Sequence, residues 1–252
     1  MGQSLDEVKR LNQQAIQLSR QGRYQEAIFY AKRVLEIREK ALGTEHPDVA
    51  LSANELGMLY YSNGDYYKAQ PLIERALTIF EKALGPFDEK VGIILNNLAA
   101  THHQFAEYSK AEQYFTRAIR IIEHKYGPEH FEVTHSLNNL AKFYKKKGDF
   151  KEAEELYKRN LKIQERALGP AHPDVATSLN QLGIIYYYFN DYAKAQTLFK
   201  RALVIREEEL GAKHSDTAET LGNLGSLYDA LGDYERAEAL YKRRLEIGES
   251  AS

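Results

Sequence analysis

Asparagines at positions 12, 54, 96, 138 and 180 recur every 42 residues, and each carboxamide carries both hydrogen-bond donors and an acceptor. A row of such groups can bond the backbone of an extended peptide whatever that peptide's side chains are. Lys142, Lys145 and Lys146 add positive charge beside Asn138, joined by Lys9 and Arg20 nearer the start, while Glu219 and Asp229 are acidic nearer the end. Charge of this kind orients a partner and speeds its arrival, whereas Met58, Tyr61, Ile184, Tyr187 and Tyr188 offer apolar surface to bury. Two structural alternatives stand beside this chemistry. The asparagines can bond between neighbouring helices and fix their stacking, and the lysine run can be a solvated face.

Other chemistry finds little support. His102, His103, His124, His130 and His135 lie close in sequence, but a metal site needs three or four ligands converging at about 2 Å, and helical geometry spreads these too far. His46, His130, His172 and His214 recur once per period, which points to structuring a loop. No phosphate-cradling glycine loop, nucleophile elbow or His-Glu-x-x-His run is present. The expectation is a chain with no catalytic residues, no cofactor and no metal.

The elements that position these residues follow from the period. Gly43, Gly85, Gly127, Gly169 and Gly211 are 42 apart, as are Tyr24, Tyr66, Tyr108, Phe150, Tyr192 and Tyr234, with an alanine three residues after each aromatic. In the stretch from Pro47 to Leu84, apolar residues recur at helical spacing through Tyr60, break at Asn63-Gly64-Asp65 and resume from Tyr66. Each period therefore predicts a helical hairpin. Proline at 47 and 173 suits a first helical position, and the glycine after Leu84 suits the left-handed conformation that ends a helix. Gly57, Ala69 and Ala76 let the paired helices approach closely, and the aromatics headed by Tyr24 are expected to plug the hairpin core.

One hairpin cannot bury its apolar face alone. The expected fold is all-α, an α-solenoid of six stacked helical hairpins forming one domain over 1–252, with repeats near 1–42, 43–84, 85–126, 127–168, 169–210 and 211–252. At about 100° per residue, Leu51, Asn54, Met58, Tyr61 and Ser62 face away from Leu56 and Tyr60. Shifting by the period places Ile93, Asn96, Ala100, His103 and Gln104, then His135, Asn138, Lys142, Lys145 and Lys146, then Thr177, Asn180, Ile184, Tyr187 and Tyr188 on the same groove face.

Leu-x-x-Tyr, then Gly-Asp-Tyr, then Ala and a second Ala seven residues on, resembles the tetratricopeptide pattern over essentially the whole chain. The 42-residue period, with Ala167-Leu168-Gly169-Pro170-Ala171-His172-Pro173-Asp174-Val175-Ala176 and Leu137-Asn138-Asn139-Leu140-Ala141, resembles the kinesin-light-chain subtype. The resemblance implies a right-handed superhelix and groove asparagines that contact peptide backbone. The long heptad region of kinesin light chains does not precede these repeats, and the end from Gly211 onward, without an obvious polar capping helix, reads as a fragment of something longer. The Lys, Asn and Arg placement of a carboxylate clamp is not found.

The composition, 43% hydrophobic and 28% charged with no cysteine, is that of a globular domain and rules out disulfides and thiolate chemistry. A net charge of −2 gives no bulk field to recruit nucleic acid. No run reaches the roughly 18 apolar residues of a membrane span, and the start shows no signal pattern, so a cytoplasmic location is expected. The expected partner is a protein or peptide segment, acidic with an aromatic or aliphatic anchor. A structural or self-assembling spacer with homo-oligomers formed through the solenoid ends is the alternative, as is the sensor or scaffold region of a larger multidomain protein.

Overall fold

The computed structural model describes residues 2–249 as twelve helices, with no strand among them. They pair as consecutive hairpins. The first three are α1 (Gly2–Arg20) with α2 (Tyr24–Leu42), α3 (Pro47–Ser62) with α4 (Tyr66–Leu84), and α5 (Glu89–Gln104) with α6 (Tyr108–Tyr126). The others are α7 (Val133–Lys147) with α8 (Phe150–Leu168), α9 (Pro173–Tyr188) with α10 (Tyr192–Glu209), and α11 (Ser215–Ala230) with α12 (Tyr234–Glu249). The chain divides into two compact units, Met1–Pro128 and Glu129–Ser252, each holding three hairpins.

The caps explain why the elements begin and end where they do. Pro47 and Pro173 open α3 and α9, and the preceding His46 and His172 accept from the backbone N–H of Asp48 and Asp174 through Nδ1, both at 3.1 Å. His214 does the same for Asp216 at 3.1 Å, and Asp88 replaces histidine before α5. At 46, 172 and 214 the periodic histidine is thus an N-cap, satisfying a helix-end donor that would otherwise lack a partner, whereas before α7 the N-cap is Glu132 and His130 accepts from the Glu132 N–H at 3.3 Å. At the other end Gly85 departs from the expected left-handed form. Its φ of 89° and ψ of 160° lie in a region essentially closed to any residue with a Cβ, which turns the chain sharply from helix into connector.

Within unit 1, Ala69, Ile73, Ala76, Ile79 and Phe80 of α4 pack with Val91, Ile94 and Leu95 of α5. Close approach depends on Gly57, where a Cβ would stand 2.7 Å from Ile73 Cγ1 and 3.2 Å from the Ala69 carbonyl. Unit 2 repeats the device at Gly183, where a Cβ would stand 2.6 Å from the Phe199 ring. Arginines clamp successive second helices at a fixed register, Arg75 to Glu39 and Arg117 to Glu81 in unit 1, Arg201 to Glu165 and Arg243 to Glu207 in unit 2. These pairs are partly solvated, so each contributes about 0.2–1 kcal/mol and mainly fixes register.

The aromatic row does not plug the core. Tyr108 is 40% exposed and Tyr234 69%, and Tyr24, Tyr66, Phe150 and Tyr192 are half-buried. The fully enclosed place belongs to the alanine three residues later, 0% exposed at Ala69, Ala111, Ala153 and Ala195, because the helices cross there too closely for a ring. The aromatics instead line the turn edge. Tyr66 lies 5.2 Å from Tyr61 and Phe150 stacks on Tyr188 at 4.6 Å.

Candidate functional site

The truly open row of the first helices is the one at the register of Leu51. Leu51 is 40% exposed and Ile93 52% in unit 1, and His135 and Glu219 are exposed in unit 2 with Thr177 half-buried. The asparagine row, one helical turn further on, is drawn into the stack. Asn54 is buried and accepts at Oδ1 from Asn97 Nδ2 at 2.9 Å. Asn180 is 0% exposed and accepts from Asn223 Nδ2 at 2.9 Å. Asn96 is buried as well and donates to the Gly92 carbonyl at 3.1 Å.

The expectation of an amide ladder facing a groove is therefore corrected at Asn54, Asn96 and Asn180. The physical reason is the contact of α3 with α5 and of α9 with α11, which closes over a side chain that the helical wheel places on the border between groove and neighbour. The donors to Asn54 and Asn180, Asn97 and Asn223, sit one residue past the ladder. The doublet Asn96-Asn97 is the signal in the sequence that points to them. Asn12 and Asn138 remain half-buried.

In unit 1, Asn12, Ile16, Arg20, Glu55 and Met58 line an open cavity of about 370 Å³ that Asn54 borders. Burial pushes the Glu55 carboxyl above its ordinary pKa, opposed by the Arg38 charge. Tyr61 is half-buried and accepts from Gln104 Nε2 at 2.9 Å, with burial raising its phenol pKa. His103 stands apart from this cavity, its ring 5.7 Å from Tyr108.

In unit 2 the predicted residues converge better. Lys145, Lys146, Ile184, Tyr187 and Tyr188 line one open cavity of about 710 Å³, together with Phe150, whose place in the aromatic row suggests only a core plug. Lys146 is exposed. Lys145 is turned inward and donates to Gln181 Oε1 at 2.5 Å. Burial lowers its pKa, Glu219 opposes that shift, and Lys142 and Lys146 reinforce it. Lys142 is exposed but does not line this cavity. His135 and Asn138 line a separate polar cavity.

Among the described residues no three His, Asp or Glu side chains gather into a group able to hold a metal, and no helix is long and apolar enough to cross a membrane.

A tetratricopeptide repeat family model matches residues 10–66, 48–124, 132–208 and 191–250. No curated protein matches the chain significantly. Among solved structures, BtubC (BKLC) from P. vanneervenii is similar at 26% identity and a TM-score of 0.71, covering 97% of this chain and 92% of that one. A Podosopora anserina protein assigned to the kinesin light chains, built of nearly identical TPR-like repeats, is similar at 25% identity and a TM-score of 0.68, covering 80% of this chain and 95% of that one. A Rap protein complexed with competence and sporulation factor shares the fold at 18% identity and a TM-score of 0.66, covering 97% of this chain and 75% of that one. Arrays of this fold generally mediate protein–protein interactions and are typically non-enzymatic scaffolds. With the model matched along nearly its whole length, the chain belongs to the tetratricopeptide repeat family, in its kinesin-light-chain-like form.

Proposed function

We propose that the protein is an adaptor that holds an extended segment of a partner protein, acidic with an aromatic or aliphatic anchor, in the groove of unit 2. One observation carries the reading. The exposed cation of Lys146 shares an open cavity of about 710 Å³ with Ile184 and the rings of Tyr187, Tyr188 and Phe150. A carboxylate can meet the ammonium at the rim while an apolar side chain is buried against the rings, and burial at aromatic anchors supplies most of the affinity of such contacts. Lys142, exposed one helical turn earlier, adds steering for an acidic chain. That a Rap protein of this fold was solved with competence and sporulation factor bound supports a ligand-binding use of the fold.

The test is a titration of a fluorescein-labelled twelve-residue peptide of Glu and Asp with one central Tyr, followed by anisotropy. The double variant Lys146→Ala/Tyr188→Ala is expected to weaken binding about tenfold or more with helicity unchanged, since loss of one anchor contact is worth about 1–3 kcal/mol. Raising salt weakens the parent and leaves the variant less affected. Equal affinity for parent and variant sinks the proposal.

Self-association is the second reading, favoured by Leu245. It is 65% exposed, while Leu35 at the same register is 8% exposed beneath α3. Light scattering across a concentration series, with Leu245→Lys as the control, distinguishes the two.

A further inference from the structure

A cavity of about 290 Å³ lies between α7 and α9 over α8, with the exposed His135 at its mouth and Asn138, Asn160 and Ser178 on its walls. One residue of its floor, Asn160, breaks the repeat. At the register of Asn160 the other hairpins carry Val34, Ala76, Ala118 and Ala202, all buried, and lastly the exposed Arg244. At the register of Gln164, α4 carries Phe80 and α6 carries Ile122, while α2 and α10 carry Arg38 and Arg206, which bond the hydroxyls of Ser52 and Thr220 as Gln164 bonds that of Ser178. Alanine therefore satisfies the packing at position 160, and the amide of Asn160 answers to something else.

The hydrogen bonds show what is left over. Ser178 Oγ donates to Gln164 Oε1 at 2.6 Å, so its oxygen accepts from Asn160 Nδ2 at 3.1 Å. Asn160 is 1% exposed, and its Oδ1 has no hydrogen-bond partner among the described residues. A buried acceptor without a donor is unfavourable and invites an N–H from outside.

The charges around the cavity select a neutral donor. The guanidinium of Arg206 lies behind Thr177, with Nη2 3.4 Å from Thr177 Oγ1, and disfavours a second cation. That charge is already matched by Glu219 at 3.0 Å, and Asp174 also lines the cavity, so a carboxylate gains nothing. A primary carboxamide meets both needs. Its N–H serves Asn160 Oδ1, and Asn138 carries donors for its carbonyl.

We infer that this cavity is a subsite for the side-chain carboxamide of a glutamine or asparagine in the bound chain. The inference rests on the reading that a partner segment lies along this groove, and it adds a neutral polar position to the acidic and aromatic ones.

The experiment titrates N-acetyl-glutamine N-methylamide into the ¹⁵N-labelled full chain and follows the side-chain amide resonances of Asn160 and Asn138. The expected result is a saturable shift of both with capped glutamine and none with capped glutamate, lysine or leucine. Asn160→Ala, which installs the residue of three other hairpins, should weaken the capped glutamine at least about tenfold and melt no lower than the parent. Absence of a saturable shift, meaning a cavity filled by water only, overturns the subsite. So does saturation by capped glutamate or leucine, or unchanged affinity in Asn160→Ala. Lys146→Ala/Tyr188→Ala should leave the probe's binding intact, so failure of acidic segments to bind and failure of this subsite are read separately.

Discussion

The α4–α5 contact of unit 1 and the α8–α9 contact of unit 2 occupy the same register two periods apart, yet one is apolar and the other polar. In unit 1, Ala76 and Phe80 meet Ile94, and all three are at most 2% exposed. In unit 2 their counterparts Asn160, Gln164 and Ser178 form a buried hydrogen-bonded chain beneath a cavity. The backbone is nearly indifferent to this exchange, because helix pairing is set elsewhere, by the enclosed alanines and by Gly57 and Gly183. Repeats of one architecture can thus differ in chemistry where the scaffold makes no demand, and those positions are where function is best sought.

The sharpest way to break the comparison is to transplant one side into the other. Ala76→Asn places an amide opposite Ile94, which offers no partner, in space that a methyl already fills. Desolvation and overpacking together predict a loss of about 3 kcal/mol or more in urea unfolding. A loss under about 1 kcal/mol would mean that the α4–α5 contact tolerates polarity as well as α8–α9 does.

A smaller effect of opposite sign is expected inside the polar half. The hydroxyl of Tyr157 is buried without a partner among the described residues, with its pKa pushed far up by burial, and Phe115 and Phe199 stand at its register. Tyr157→Phe should stabilise the protein by about 1 kcal/mol in the same assay. Destabilisation would show that the hydroxyl has a bonded partner in solution.

The smallest effect separates the two grooves by pH. Burial holds the Glu55 pKa above its ordinary value, so the folded chain binds that proton more tightly than the unfolded one. The group's favourable contribution is present below the unfolded pKa and is lost as pH rises through the folded one. Glu55→Gln should therefore be more stable than the parent near pH 8, by no more than a few tenths of a kcal/mol because the residue is exposed to solvent at the cavity wall. The gap should close toward about pH 4, and a gap that widens on acidification reverses the sign and refutes the assignment.

Much of the fold is legible in the sequence because a period repeats its evidence. Gly85 and its counterparts, the recurrent alanines and the prolines at 47 and 173 each mark a helix end or a crossing through residue type and spacing alone. The site is legible in part. Lys146, Ile184, Tyr187 and Tyr188 line one open cavity, whereas Asn54, Asn96 and Asn180 turn into the stack. A helical wheel assigns a direction to each side chain on one helix but says nothing of how near the next first helix passes.

Local residue chemistry by itself determined the hairpins, where their helices begin and end, their number and the family, since these depend on neighbours within a few turns and on a spacing that the chain states repeatedly. Only the tertiary structure decided which amides pair with Asn97 and Asn223, that Lys145 is drawn to Gln181, and that Asn160 keeps an unanswered acceptor under a cavity. Those outcomes turn on ångström-scale distances between neighbouring helices, and hydrogen bonding is decided at that scale.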